Sequence, residues 1–131
     1  MAAPKADPAP VVLVVDDEPI LLRLMERALT EAGYLVQGAS NGLRALELIG
    51  SSPCPADILV TDLRMEPLNG FDLARIVTER HPHTQVLLIS AYDADHTEPP
   101  WPFLRKPFSP EALVRAVEQL LPRACPRVGA G

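Results

Sequence analysis

Val11-Val12-Leu13-Val14-Val15 runs without a break into Asp16-Asp17-Glu18, and this junction decides the fold. Residues 11–16, opening with five consecutive β-branched or leucine residues, read as a strand buried on both faces. Three more apolar runs end in comparable polar groups: Ile58-Leu59-Val60-Thr61 at Asp62, Val86-Leu87-Leu88-Ile89 at Ser90, and Phe103-Leu104-Arg105 at Lys106, followed by Pro107. Parallel strands share their carboxyl ends. If the four runs lie in one parallel sheet, three carboxylates, a hydroxyl and an ammonium line one edge. Open α/β sheets bind ligands at that edge.

The segments between the runs fit such a sheet. Ile20, Leu21, Leu24, Met25, Ala28 and Leu29 recur at helical spacing, predicting a helix over 19–32 that starts at Pro19 and stops at Gly33. Residues 34–39 read as a second strand, and 42–50 as a short helix capped by Ser40-Asn41. The third strand is expected at 56–61, followed by a loop over 63–70 with Asn69-Gly70 as turn chemistry. A helix over 71–81 is broken by His81-Pro82-His83, and the fourth strand follows at 85–90. Residues 103–105 form a short fifth strand. Ser109-Pro110-Glu111 then opens a last helix to about Leu121, with an N-cap, a proline at the first position and an acid in the first turn. Strands alternating with helices imply a parallel sheet covered on both faces.

The chain has 131 residues, one domain in length, with 47% hydrophobic and 22% charged residues. Prolines among alanines before residue 10, and Pro122, Pro126 and Gly129-Ala130-Gly131 at the other end, suggest disordered tails at 1–9 and 123–131 around a domain at 10–122. A net charge of −5 argues against a nucleic-acid binder with a basic face. No apolar stretch approaches the roughly 20 residues of a membrane span, and the N-terminus lacks a signal-peptide core, so a cytoplasmic location is the expectation. Cys54 and Cys125 lack CxxC spacing and read as unpaired thiols. His81, His83 and His96 show no metal-binding spacing and read as surface residues.

The acidic residues carry the first chemical signal. Mg²⁺ takes oxygen ligands, keeps some waters, and uses one or two carboxylates plus a phosphate. Asp16 and Asp17 at one strand end and Asp62 at another can supply them. Singly, Asp16 reads as a helix cap and Asp62 as the start of a turn. Crowded on one edge, three carboxylates would repel without a cation, which favours a metal site. Lys106 could neutralise the cluster or bind phosphate as a point charge, and the Ser90 hydroxyl can donate to a phosphoryl oxygen.

Together, Asp16-Asp17, Asp62, Ser90 and Lys106-Pro107, in the strings VLVVDDEP, DILVTDLRMEPLNG, VLLISAY and FLRKPF, resemble the receiver domain of two-component response regulators. The resemblance covers about residues 10–121. It implies a flavodoxin-like, doubly wound five-stranded sheet in the order 2-1-3-4-5. It also implies that Asp62 is the phosphoacceptor, taking a phosphoryl group from a histidine kinase, a histidine phosphotransfer protein or a small acyl phosphate. Asp17, Asp62 and the backbone carbonyl of Arg64 would ligate Mg²⁺, with Asp16 holding a metal-bound water. Ser90 and Lys106 would each bind a phosphoryl oxygen. Phe103 stands where the family has its rotameric switch aromatic, whose ring fills the space Ser90 vacates. The Arg64 and Tyr92 side chains would overhang the site and lengthen the phosphoryl lifetime.

The chain departs from the family at two places. Met65-Glu66-Pro67 stands where Met-Pro-Gly is usual, with the distance to Gly70 kept. Only 12 residues, 91–102, separate Ser90 from Phe103, and they include Pro99-Pro100. The fourth helix, between the fourth and fifth strands, is therefore expected to be missing or reduced to one turn. Trp101 then either covers the bared sheet edge or offers a partner contact. The expected function is a stand-alone phosphorylation switch with no DNA-binding domain, acting on an unidentified downstream protein rather than as a turnover enzyme. The competing readings are a phosphorylation-independent interaction module and a phosphatase-like hydrolase. The hydrolase is disfavoured because Arg64 stands where a second acid is needed.

Overall fold

The computed structural model describes residues 9–51, 56–91 and 101–121. In chain order these form β1 (Val11–Val15), α1 (Pro19–Glu31), β2 (Leu35–Ala39), α2 (Gly42–Ser51), β3 (Ile58–Asp62), α3 (Gly70–Arg80), β4 (Gln85–Ser90), β5 (Phe103–Arg105) and α4 (Pro110–Leu120). The sheet order is β2-β1-β3-β4-β5, and every pairing is parallel. This is the flavodoxin-like order expected of the sequence.

Alternation along the strands divides the core into two layers. Leu13, Val15, Leu59, Val86 and Leu88 point to one face and pack with Ala45 and Ile49 of α2 and Leu73 and Val77 of α3. Val12, Val14, Ile58, Val60, Leu87 and Ile89 point to the other and meet Met25 and Leu29 of α1 and Leu113 and Val117 of α4. The central strands are thus apolar on both sides, and all of β3 is buried. Burying one such side chain contributes roughly 1.5–3 kcal/mol, so two layers of them dominate the stability.

The helix ends follow local chemistry. Ser109 accepts from the Ala112 amide at 3.0 Å and caps α4. Asn41 accepts from the Arg44 amide at 2.8 Å at the start of α2. Gly33 takes φ of 105° just past α1, a left-handed conformation that glycine adopts without steric cost.

Several boundaries differ from the sequence expectation by one or two residues, and the differences in the third strand and third helix have clear local causes. The third strand begins at Ile58 rather than Ala56 and takes in Asp62. Asp57 is instead the start of a bracket across the sheet, its Oδ2 accepting from the Val11 amide at 2.8 Å. The third helix starts at Gly70, one residue early, because Asn69 is an N-cap whose side chain accepts from the Asp72 amide. The C-cap residue of that helix, His81, is half-buried rather than on the surface, whereas His83 is exposed as expected.

The expectations of a missing or one-turn crossover helix and of disordered tails fall on residues 92–100, 1–8 and 122–131, outside the described residues, as do Tyr92, His96, Cys54 and Cys125. Trp101 is described. It is half-buried against the α2–α3 layer with its ring 6.5 Å from that of Phe71.

Candidate functional site

The strand ends converge as the topology requires. Register sets Asp62 opposite Ile89 and Ser90 opposite Arg105. The ladder continues past β5, with the Lys106 amide donating to the Ser90 carbonyl at 2.9 Å. On the other side, the Asp16 amide donates to the Ala39 carbonyl at 3.2 Å, and Asp16 Oδ1 accepts from the Glu18 amide at 2.8 Å. Each side chain is therefore aimed by backbone that belongs to the sheet or its immediate continuation.

Asp16, Asp17 and Asp62 present carboxylate oxygens that all lie within 4.8 Å of one another. Asp16 and Asp62 are buried, while Asp17 is exposed at the rim. Lys106 Nζ stands 3.4 Å from Asp16 Oδ2, 3.5 Å from Asp62 Oδ1 and 3.6 Å from Glu18 Oε1. One ammonium thus faces more negative charge than it can offset. Burial, with Asp16 beside it, pushes the Asp62 carboxyl up to about 6. Burial also raises that of Asp16, despite the Glu18 amide and Lys106. Burial acts to lower the Lys106 ammonium, but Asp62, Asp16 and Glu18 outweigh it and raise it.

Asp16 Oδ2 is buried and faces the Lys106 ammonium at 3.4 Å, but makes no well-aligned hydrogen bond among the described residues. Its charge is thus only partly compensated inside the fold, which is costly for a buried carboxylate. A hard divalent cation suits an all-carboxylate donor set of this kind. The residues present therefore fit Mg²⁺.

The loop after β3 is held close to this cluster. The Leu63 amide donates to the Ile89 carbonyl and the Gly70 amide to the Leu63 carbonyl, both at 2.9 Å. Gly70 lies so near that a Cβ there would overlap the Asp62 carbonyl oxygen. Leu63 and Met65 are buried, Arg64 and Glu66 exposed. A cavity of about 580 Å³ opens beside Asp17, lined by Arg64, Glu66, Asn69 and Phe71 among others. Across the site, a second cavity of about 390 Å³ runs from Glu18 and Lys106 over Ile20, Leu24, Pro107 and Phe108. The Glu66–Pro67 and Lys106–Pro107 peptide bonds are cis.

Asp16, Asp17, Asp62 and Lys106, expected from the sequence to share a site, are brought into direct contact range. Ser90 is buried at the end of β4 beside them. Phe103 is half-buried in the α2–α3 layer, one strand from Ser90. Sequence reasoning missed the contact between Glu18 and Lys106 and the close approach of Gly70. The signal for the first was an N-cap position filled by glutamate rather than a good capping residue.

The sequence profile described as "Response regulator receiver domain" matches residues 12–118. The chain belongs to this family. It is a receiver domain of the two-component type, and its fold is the one expected of such a domain. It is 30% identical over 121 residues to the transcriptional regulatory protein GlrR of Escherichia coli, the alignment covering 88% of this chain and 27% of GlrR. It is 33% identical to the sensor kinase CckA of Brucella abortus, covering 84% of this chain and 12% of that protein. The receiver thus spans about a quarter or less of these relatives. Among solved structures, a response regulator receiver protein from Sinorhizobium medicae superposes with a TM-score of 0.78 at 38% identity, covering 87% of this chain and 95% of that one. The receiver domain of NtrX from Brucella abortus gives 0.76 at 25% identity, over 85% and 98%.

Proposed function

We propose that this receiver is the phosphoacceptor switch of a two-component phosphorelay, with Asp62 as the nucleophile. The observation that carries the reading is the position of Asp62: a buried carboxylate 3.5 Å from a lysine and grouped with two more carboxylates at a strand-end edge. A carboxylate oxygen of Asp62 attacks the phosphorus of a phosphohistidine or acyl phosphate. The P–O bond to Asp62 forms as the bond from phosphorus to imidazole nitrogen or acyl oxygen breaks, and the leaving group keeps that electron pair. Lys106 holds one phosphoryl oxygen and the Ser90 hydroxyl donates to another. Transfer of this kind rests on positioning and charge neutralisation rather than on covalent work by the protein. Asp17, Asp62 and the Arg64 carbonyl would hold Mg²⁺, with Asp16 engaging it through water, and the ion would supply neutralisation of the phosphoryl charge.

The output follows from Ser90. Drawn toward the phosphoryl oxygen, it leaves room that the Phe103 ring enters, and the surface around β5 changes for a downstream protein. Arg64 and Tyr92 shield the acyl phosphate from water and set its lifetime. The donor is a sensor histidine kinase or a histidine phosphotransfer protein. Such a donor must pack beside the site, and the exposed apolar pair Ile20 and Leu24, 74% and 55% exposed, borders it. A cytoplasmic location belongs to the same proposal; no described helix is long and apolar enough to cross a membrane.

Incubation with Mg²⁺ and acetyl phosphate tests the reading. An adduct of about 80 Da, one phosphoryl group, is expected on wild type and absent from Asp62→Asn. No adduct on wild type would favour an interaction module that works without phosphorylation. Repeated turnover of a phosphate ester would favour a hydrolase.

A further inference from the structure

Glu18 occupies the N-cap of α1, with φ −91° and ψ 112°, yet its side chain makes no capping hydrogen bond. Serine, threonine, aspartate and asparagine are the residues that cap well. The glutamate carboxylate lies instead 3.6 Å from Lys106 Nζ, while its own backbone amide donates to Asp16 Oδ1 at 2.8 Å. One residue therefore touches both the buried acid and the lysine. It is also the odd member of the three carboxylates around Lys106. Asp16 and Asp62 belong to the group that can share a cation; Glu18 does not. Its side chain is 65% exposed, so the contact is made at the rim and not forced by burial.

We propose that Glu18 is a positioning residue that competes with the phosphoryl group for Lys106 and so sets how readily the site is charged. When the phosphoryl group arrives, it brings nearly two negative charges, and Lys106 must turn to it. Asp16 and Asp62 remain engaged in the site, whereas Glu18 must release the ammonium and is left facing a like charge. The residue opposes the loaded state and leaves the empty state held by a rim ion pair. The inference rests on the phosphoacceptor reading of Asp62.

The test is titration of the Mg²⁺-containing protein with beryllofluoride, a phosphoryl mimic, followed by calorimetry. Wild type, Glu18→Gln, Glu18→Asp and Glu31→Gln are compared at low salt and at 0.5 M sodium chloride. Glu31→Gln removes the same charge from the far end of α1, where Glu31 pairs with Arg27. Glu18→Gln should bind about 3- to 5-fold more tightly than wild type at low salt, the size expected of an exposed ion pair. The gain should shrink at high salt, because exposed charges are screened. Glu18→Asp should lie nearer wild type, and Glu31→Gln should match wild type. Equal affinity of Glu18→Gln and wild type, or an equal gain in Glu31→Gln, overturns the role of Glu18 while leaving the phosphoacceptor reading intact. Failure of wild type itself to bind overturns both.

Discussion

Asp62 is held in the fold at an energetic cost. Its carboxyl is raised to about 6 by burial and by Asp16, whereas an unfolded aspartate titrates near 3.9. The folded state therefore binds the proton more tightly than the unfolded one. The stability this confers is fully present below the unfolded value and is lost as pH rises through about 6. In metal-free protein, denaturation midpoints should fall between pH 4 and pH 7, by roughly 2–3 kcal/mol at most from this residue. Asp62→Asn should flatten that slope and be the more stable protein at pH 7.5. Added Mg²⁺ should stabilise wild type strongly at pH 7.5, weakly at pH 5, and Asp62→Asn little at either. A wild-type slope that persists unchanged in Asp62→Asn would assign the effect to other groups. That Asp16, Asp17, Asp62 and Lys106 would come together was legible in the sequence because each lies at or just past the end of an apolar run, which requires no knowledge of side-chain reach. Glu18 was not, because its partner Lys106 joins from the far side of the sheet.

At the scale of elements, the strands were read from composition and the helices from spacing, and both held to within two residues. The misplaced start of α3 shows why boundaries fail. Asn69-Gly70 is turn chemistry and cap chemistry at once, and only the amide of Asp72 decides between them. Gly70 was legible as a turn residue, but its actual constraint is steric, the carbonyl of Asp62 lying where a side chain would go. Trp101 illustrates the opposite case, in which the sequence offered two roles and the packing is the basis for a measurement that separates them. Its ring lies against the α2–α3 layer beside Phe71. Trp101→Ala should lower stability by roughly 1–3 kcal/mol, less than for a fully buried aromatic. Urea midpoints measured by circular dichroism check this; a loss within about 0.5 kcal/mol, the usual range for surface substitutions, would return Trp101 to the partner-contact reading.

For the whole molecule, the phosphoacceptor reading of Asp62 implies two distinguishable ways of charging it. A small acyl phosphate needs only the site, whereas a protein donor must also dock. Ile20 and Leu24 lie at the start of α1, next to Lys106 and Phe108 along one cavity. The double variant Ile20→Ser, Leu24→Ser should accept phosphate from acetyl phosphate at the wild-type rate and from its cognate histidine kinase at least about 10-fold more slowly, a loss of about 1.4 kcal/mol. Parallel loss with both donors would place the defect in the site, and no loss with either would put the docking surface elsewhere. The fold itself was legible at this scale because parallel strands with helical crossovers leave few topologies open.

The placement of Lys106 after the last crossover has a consequence for synthesis. The carboxylates of Asp16, Asp17 and Asp62 leave the ribosome before the one lysine that later stands among them. Until β5 docks on β4, the growing sheet carries a concentrated negative charge at its ligand edge with no covalent counter-charge. A cation bound by that edge would lower this repulsion, so refolding should be faster with Mg²⁺ than without it if the carboxylates hold the ion as proposed.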